Sequence, residues 1–164
     1  MIDYKNLKIV PVEEIPLGKD FAGDDFLSLY KLAVYMENLC FKNEGIGLSA
    51  TQVGVPLNFF IVLKPEGNEY YVNSSYKGIG EKVKSIEGCL SLKDKNGNLR
   101  RFEVERYQKI RFKSKKLCLG DQLYLVDIDK EVDGLFSLVF QHETDHFHQI
   151  LISDIGKEIR ILGS

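Results

Sequence analysis

Two histidines and a glutamate near the end of the sequence have the spacing of a metal-dependent hydrolytic site. The segment H-E-T-D-H places His142 and His146 four residues apart, with Glu143 directly after the first histidine. Residues four apart share one face of an α-helix, so two imidazoles at this spacing can bind one divalent ion. The adjacent glutamate is suited to act as a base on water. The remaining histidine, His148, lies off this face, and we expect it at the surface or behind the ligands.

The H-E-x-x-H pattern leaves two questions open. It also occurs by chance, and buried histidines can be ordinary core residues. A catalytic site further needs a third protein ligand and an open position for water. Cys89 is one candidate, because it follows a glycine in a segment that interrupts the surrounding strand pattern. Cys40 and Cys118 are better explained as structural cysteines, but spacing alone does not choose among the three.

The helix that carries these residues has an apolar stripe. We expect this helix over residues 133–151, with Asp133 as its N-cap. Steps of three and four along it predict one buried face that includes both histidines. The stripe consists of Leu135, Leu138, Val139, His142, His146 and Ile150.

A second helix and several strands must position this one. The same steps predict a helix over Asp24–Lys42, capped by Asp24 or Asp25. Helices toward the two ends and strands in the middle indicate one α+β domain over residues 1–164. Asn96-Gly97 marks a hairpin turn, and Gly120-Asp121 marks another. The predicted apolar face of this helix consists of Leu29, Leu32, Ala33, Met36, Leu39 and Cys40. Strands are predicted at 57–64, 69–72, 108–115, 121–129 and in the tail from 157 to 164.

The composition favours a folded domain without a nucleic-acid or membrane partner. The 164 residues are 44% hydrophobic and 28% charged, with a net charge of −2. No apolar run approaches the roughly 20 residues of a membrane helix, and the N-terminus lacks the pattern of a signal peptide. We therefore expect a cytoplasmic protein of a bacterium or a phage-infected host cell. One basic cluster is expected to be a solvated strand face: Lys109, Arg111, Lys113, Lys115 and Lys116.

The glycines of E-G-I-G-L-S-A-T-Q indicate a backbone that approaches a ligand. Phosphate binding is disfavoured, because Ala50 stands where G-x-G-x-x-G requires its third glycine. Gly45 and Gly47 are better explained by an extended peptide that adds to this segment as a β-strand.

Three segments together resemble the peptide deformylase family. The first is G-I-G-L-S-A-T-Q at 45–52, the second E-G-C-L-S at 87–91, and the third Q-H-E-T-D-H at 141–146. They occur in the family's order. The resemblance implies antiparallel sheets around a central helix that carries the H-E-x-x-H motif. It also implies a hydrolase that removes the formyl group from N-formylmethionyl peptides at or near the ribosome exit, and we expect it to act as a monomer.

The resemblance assigns a role to each matching position. Cys89, His142 and His146 would bind one ion, usually Fe²⁺, with Ni²⁺, Co²⁺ or Zn²⁺ as substitutes. Glu143 would be the general base and acid. Gln52 and the backbone N–H of Leu90 would donate to the reacting carbonyl oxygen. The residues implied in substrate binding are Gly45, Ile46, Gly47, Gly88, Arg106, Leu138 and Val139.

Other positions depart from the family pattern and keep two rival functions open. Lys93 stands in place of a proline, Gln149 in place of a glycine, and the stretch from 92 to Arg106 is several residues longer. One rival is a metallopeptidase of the H-E-x-x-H type, which a Cys89 ligand argues against. The other is a catalytically silent peptide-binding relative, which the intact Glu143 and Gln52 argue against.

Overall fold

The computed structural model describes residues 4–160, which form an antiparallel sheet with helices packed on it. The α+β class predicted from the sequence is confirmed. The helices are α1 (Phe26–Lys42), α2 (Gly134–Asp145) and α3 (Ile152–Ile155), and the strands are β1 (Gly47–Ser49), β2 (Phe59–Val62), β3 (Glu69–Glu87), β4 (Arg101–Leu119), β5 (Leu123–Asp133) and β6 (Lys157–Ile159). Short 3₁₀ segments cover Tyr4–Asn6, Val12–Glu14, Ala50–Val53 and His146–His148. Residues 161–164 of the predicted tail strand lie outside the described residues, and a single domain over 1–164 stays a prediction.

The strands follow one another in the order β1-β2-β3-β4-β5, and β6 pairs with β4. All of these pairs are antiparallel. β3 and β4 are each 19 residues long, much longer than predicted, because polar stretches such as residues 73–87 pair with a partner strand. The pairing runs from Tyr70↔Leu117 to Glu87↔Phe102, with register shifts after Val72 and after Ile79. This long hairpin brings Glu87 and Cys89 beside α2.

Helix α1 agrees closely with its prediction. It begins at Phe26 with Asp25 as the N-cap, and the Asp25 carboxylate accepts from the Ser28 backbone N–H at 3.1 Å. Its predicted apolar face is confirmed, since five of the six residues are buried and Leu39 is half-buried. That face packs against the strands β1 and β2, so α1 supports the segment that leads into Gly45.

Helix α2 differs from its prediction in both length and orientation. The α-helix ends at Asp145 rather than at residue 151, and a 3₁₀ turn follows. The predicted stripe is not its buried face: Leu135 is 57% exposed, and Leu138 and Val139 are half-buried. The face directed into the core carries Phe140, which packs against the Phe112 ring at a centroid distance of 4.6 Å. Aromatic packing therefore anchors the core-facing side of α2, and the predicted stripe faces a cleft.

Gln149 ends the turn after α2 in an unusual backbone conformation. Its φ is 57°, in the left-handed region that glycine adopts without strain. Its side-chain amide donates to the carbonyl of Ile15 at 2.8 Å, while the N–H of Gly18 donates to the carbonyl of Phe147 at 2.8 Å. These two bonds fasten the segment at 15–18 to the end of the helix, which accounts for a glutamine where the resembled family has glycine.

The basic cluster on β4 is a solvated strand face, as predicted. Three of its side chains pair across to acidic residues of β5, for example Arg111 with Asp129 at 2.7 Å and Lys115 with Asp127 at 2.9 Å, whereas Lys116 pairs with Glu69 of β3 at 2.9 Å. Such exposed pairs contribute little to stability. In the part of the chain that the structure describes, no helix is long and apolar enough to cross a membrane.

Candidate active site

Three side chains with metal-binding atoms converge beside α2. The ligand atoms of Cys89, His142 and His146 all lie within 4.8 Å of one another, and the Cys89 Sγ lies 3.7 Å from the His146 Nε2. A thiolate and an imidazole bound to the same tetrahedral ion lie about 3.6 Å apart, given bond lengths of about 2.3 and 2.0 Å. The spacing therefore fits a divalent ion. Of the three cysteines that the sequence left open, the structure brings Cys89 to the histidines.

The orientation of His142 is set by a carboxylate behind it. Its Nδ1 lies 2.8 Å from the Glu87 Oε1, and donation to that oxygen leaves Nε2 with a free lone pair toward Cys89. Burial lowers the pKa of His142, but hydrogen bonds with Cys89 and Glu87 outweigh it and the pKa rises. Burial and the nearby His142 lower the pKa of His146. The two imidazoles are thus in different electrostatic surroundings.

Arg106 does not contact the cleft, which corrects its expected place among the substrate-binding residues. Only 3% of its side chain is exposed, and its guanidinium donates twice to Glu87 at 3.0 Å and once to Asp145 at 2.6 Å. The Tyr76 hydroxyl donates to the same Asp145 at 2.7 Å. Burial favours a neutral Glu87, yet bonds from His142 and Arg106 hold its pKa at about 2. Arg106 therefore supports His142 from behind through Glu87.

Glu143 is buried with one carboxylate oxygen held in place. The Ser49 hydroxyl donates to its Oε1 at 3.0 Å, and this oxygen lies 3.9 Å from the His146 Nε2. A Cβ at position 47 would lie 2.6 Å from the Glu143 Oε2, so only glycine leaves room for the carboxylate. Burial raises the pKa of Glu143, against the opposing effect of His142. The first glycine-rich motif therefore both positions Glu143 and makes space for it.

Gln52 directs its side-chain amide into the same site. The Oε1 accepts from the backbone N–H of Ser49 at 3.0 Å, which leaves the Nε2 to donate to the Ser91 hydroxyl at 2.9 Å and to approach the Cys89 Sγ at 3.4 Å. The orientation follows from the capping box at the start of the 3₁₀ turn 50–53. Leu90 is buried beside Cys89, and a side chain at position 45 would collide with it at 2.9 Å.

A cavity of about 330 Å³ opens at this site, and its wall includes Gln52, Cys89, His142 and Glu143. Six of the seven residues expected to bind substrate lie in its wall, and Arg106 does not. Three apolar side chains at its border are well exposed: Ile46 at 49%, Ile86 at 62% and Leu135 at 57%. Exposed apolar side chains that cluster at a cleft mark a binding surface. The wall residues that were not predicted from the sequence as part of the site include Ile86, Leu99, Arg101 and Leu135.

Signals for two of these residues were present in the sequence. Leu135 belongs to the stripe that was expected to be buried, and the step of three to Leu138 correctly places it on the same face. Arg101 lies in the stretch that is longer than in the resembled family. Ile86 and Leu99 carry no signal in the sequence, because the pairing of β3 with β4 places Ile86 at the cleft and a bridge to Lys93 places Leu99 there.

Comparisons with known proteins agree with this geometry. A family model described as polypeptide deformylase matches residues 20–160. The peptide deformylase of Carboxydothermus hydrogenoformans is 32% identical over 132 residues, which are 80% of each chain. The crystal structure of a probable peptide deformylase from Synechococcus phage S-SSM7 is 28% identical, covers 92% of this chain and 99% of its own, and superposes with a TM-score of 0.77. The peptide deformylase of Thermotoga maritima is 27% identical, with coverages of 91% and 96% and a TM-score of 0.76.

The match extends over both the motifs and the fold. The family model spans the three motifs together with α1, the sheet and α2. The enzymes of this family depend on a metal ion, for which the cysteine and two histidines described above provide a fitting set of ligands. The chain therefore belongs to the peptide deformylase family and is a hydrolase that removes the N-formyl group from newly made polypeptides.

Proposed function

We propose that Cys89, His142 and His146 bind one Fe²⁺ ion and that Glu143, Gln52 and Leu90 carry out the deformylation around it. The observation that carries this proposal is the convergence of three ligand atoms within 4.8 Å at the base of the cleft. One thiolate and two imidazoles also suit Ni²⁺, Co²⁺ and Zn²⁺. When bound, the ion supplies Lewis acidity, which polarises the formyl carbonyl and favours attack by water.

Glu143 moves the proton in this proposal. Its carboxylate takes a proton from the attacking water, whose oxygen forms a bond to the formyl carbon. The C–N bond then breaks, and Glu143 delivers the proton to the leaving nitrogen, so that the products are formate and a free N-terminal amine. The hydrogen bond from Ser49 to the Oε1, at 3.0 Å, holds the carboxylate for both transfers.

Gln52 and Leu90 stabilise the negative charge that develops on the formyl oxygen. The Gln52 amide is fixed at its Oε1 by Ser49. One N–H of its Nε2 stays with the Ser91 hydroxyl, and the other, which lies beside the Cys89 Sγ in this structure, turns to the formyl oxygen. The backbone N–H of Leu90 is the second donor. Loss of one such donor typically lowers the rate by about 10²- to 10³-fold.

The peptide docks along β1 in this proposal. β1 pairs with β2 on one side, and no strand in the described residues covers its other edge. An extended peptide can pair with that edge beside Gly45 and Gly47. The methionine side chain then enters the apolar part of the cavity, where Ile46, Leu138 and Val139 lie in the wall. Gly88 borders the peptide from the opposite wall.

Arg106 is a positioning residue in this scheme. It does not contact the substrate but fixes Glu87, which orients His142. Partners of this kind often change metal affinity by about 10- to 100-fold when they are replaced.

The decisive experiment measures formate released from formyl-Met-Ala-Ser by the metal-loaded protein. Glu143→Gln should abolish turnover while the metal content per chain stays at the wild-type value, because Glu143 is not a ligand. His148→Gln serves as the control, since His148 is exposed and lies outside the site. Cleavage of an internal peptide bond without formate would favour the metallopeptidase. An inactive wild type that still binds the peptide would favour the silent relative.

The remaining proposals concern where the enzyme works. We propose that it acts as a monomer in the bacterial or phage-infected cytoplasm, at or near the ribosome exit, without membrane or nucleic-acid contact. The substrate supports this, since formylated N-termini belong to chains that are being made. Sedimentation of the purified protein would give its oligomeric state.

A further inference from the structure

The stretch between the second motif and β4 forms a hairpin that supplies one wall of the cleft. Lys93 and Leu99 form an antiparallel bridge, and the backbone turns at Gly97 with a φ of 83°. The Asp94 carboxylate accepts from the N–H groups of Asn96 and Asn98 at 2.8 and 3.0 Å, which fixes the turn. The chain then returns to the cleft at Leu99 and Arg101.

Arg101 lies over the second motif, and no acidic residue of the described part of the chain forms an ion pair with it. Its guanidinium is so close to Gly88 that a Cβ there would lie 2.8 Å from the Nη1. The side chain is half-buried, and no carboxylate of the described residues lies within ion-pair distance of it. Its neighbour Arg100, in contrast, is paired with Glu158 at 2.8 Å. Arg101 is therefore a cation available to a ligand in the cleft.

A second cavity continues from the catalytic one at this residue. The two cavities share Glu44, Leu99 and Arg101 in their walls. The second wall contains five basic and three acidic residues, and two of these acids are already occupied: Asp94 by the turn and Glu158 by Arg100. Among residues 4–160, Lys93 has only a neutral partner, the Asn43 side chain at 2.8 Å. The extension of the cleft thus carries an excess of positive charge.

We propose that this extension selects nascent peptides with an acidic side chain among the first residues after the formylmethionine, and that Arg101 is the group that recognises the carboxylate. The inference rests on the proposed function, because it assumes that the peptide leaves the catalytic cavity along the shared wall. A guanidinium binds a carboxylate through two parallel hydrogen bonds, and partial burial strengthens such a pair. The contact is remote from the formyl group, so it acts on substrate and transition state alike and lowers KM rather than raising kcat.

The test compares amidated peptides that differ in one side chain. The parent is formyl-Met-Ala-Ala-Ala-amide, and Glu, Gln or Lys replaces one alanine at each of the three positions in turn. Amidation removes the terminal carboxylate, which could otherwise bind Arg101. The readout is the ratio of kcat/KM for the Glu peptide to that for the Gln peptide, measured as formate release with wild type, Arg101→Gln, Arg101→Lys and the control Arg111→Gln.

At one position we expect the wild type to prefer Glu over Gln by about fivefold at low salt, the size of a well-formed, partly exposed ion pair, through KM. Arg101→Gln should bring the ratio to about one, and Arg101→Lys should retain part of the preference. Arg111→Gln removes an exposed arginine of β4 that lies in neither cavity wall, so it should retain the whole preference. The preference should shrink in high salt, where screening weakens the pair. A wild-type ratio near one at all positions, or a preference that survives Arg101→Gln, would overturn the inference. Failure of the proposed function would look different, because no peptide would release formate.

Discussion

Replacement of Arg106 by glutamine should destabilise the fold far more than the same change at Arg100. Both arginines make two hydrogen bonds to one glutamate, Arg106 to Glu87 at 3.0 Å and Arg100 to Glu158 at 2.8 and 3.0 Å. They differ in burial: the Arg106 side chain is 3% exposed and that of Arg100 is 37% exposed. Arg106 also pairs with Asp145. The two positions thus form a matched pair for the effect of burial.

The expected magnitude follows from the groups left behind. Arg106→Gln leaves the carboxylates of Glu87 and Asp145 buried without their cation, and removal of one partner from a buried ion pair typically costs about 3–5 kcal/mol. With an m-value of about 2 kcal/mol/M, the urea midpoint should fall by about 1.5–2.5 M. Arg100→Gln leaves no charged group buried in a low dielectric, so its urea midpoint should stay within about 0.3 M of the wild type.

Urea unfolding should be followed for both variants in the nickel-loaded and metal-free forms. The metal-free form isolates the loss of the ion-pair network, and any additional loss in the loaded form measures weaker binding of the ion at His142. Arg106→Lys should fall between Arg106→Gln and wild type, because it keeps the charge without the two-pronged geometry. Equal midpoints for Arg106→Gln and Arg100→Gln, with unchanged m-values, would refute the reasoning.

Two smaller changes test the motifs around α2. Gly47→Ala should lower kcat/KM for formyl-Met-Ala-Ser by about 10²-fold with little change in the urea midpoint, because the new methyl displaces the Glu143 carboxylate; undiminished activity would contradict the close contact at 2.6 Å. Gln149→Ala should cost about 1 kcal/mol through loss of the bond to Ile15, and Gln149→Gly should be about 1 kcal/mol more stable than the alanine variant because the left-handed backbone is relieved. Equal stability of the two Gln149 variants in urea would speak against that account.

Local patterns were most informative where one element faces one environment. Helix α1 packs one stripe against the sheet, so the steps of three and four gave its bounds, its buried face and its cap. The sequence allowed Asp24 or Asp25 as the cap, and the Ser28 contact decides for Asp25. The ligand pair on α2 was equally readable, because the distance between His142 and His146 depends only on helix geometry.

Helix α2 shows where this reasoning fails. It lies between an aromatic core and a cleft, and both surroundings favour apolar side chains. The stripe through Leu135 and Leu138 therefore looked like a core face, although the core is occupied by Phe140. A periodic pattern identifies an apolar face but not what covers it, and this face borders the cleft.

Contacts between distant strands could not be read from the chain. The role of Arg106 depends on the register of β4 against β3, which sets it opposite Val83 and close to Glu87. A shift of one residue would direct the guanidinium to the other face of the sheet. Likewise, the choice of Cys89 over Cys40 and Cys118 needed the fold or the family resemblance, because each cysteine alone is an ordinary small apolar residue.

The edge of β1 that no described strand covers, where the peptide is proposed to dock, bears on how many different substrates this enzyme can accept. Main-chain N–H and C=O groups are the same in every polypeptide, so a strand edge binds an extended chain without reading its sequence. A cleft built on such an edge needs a pocket only for the first side chain, which is methionine in every formylated chain. One small enzyme can therefore accept the formylated chains of a whole proteome. Any preference among these substrates must come from side chains at the far end of the cleft.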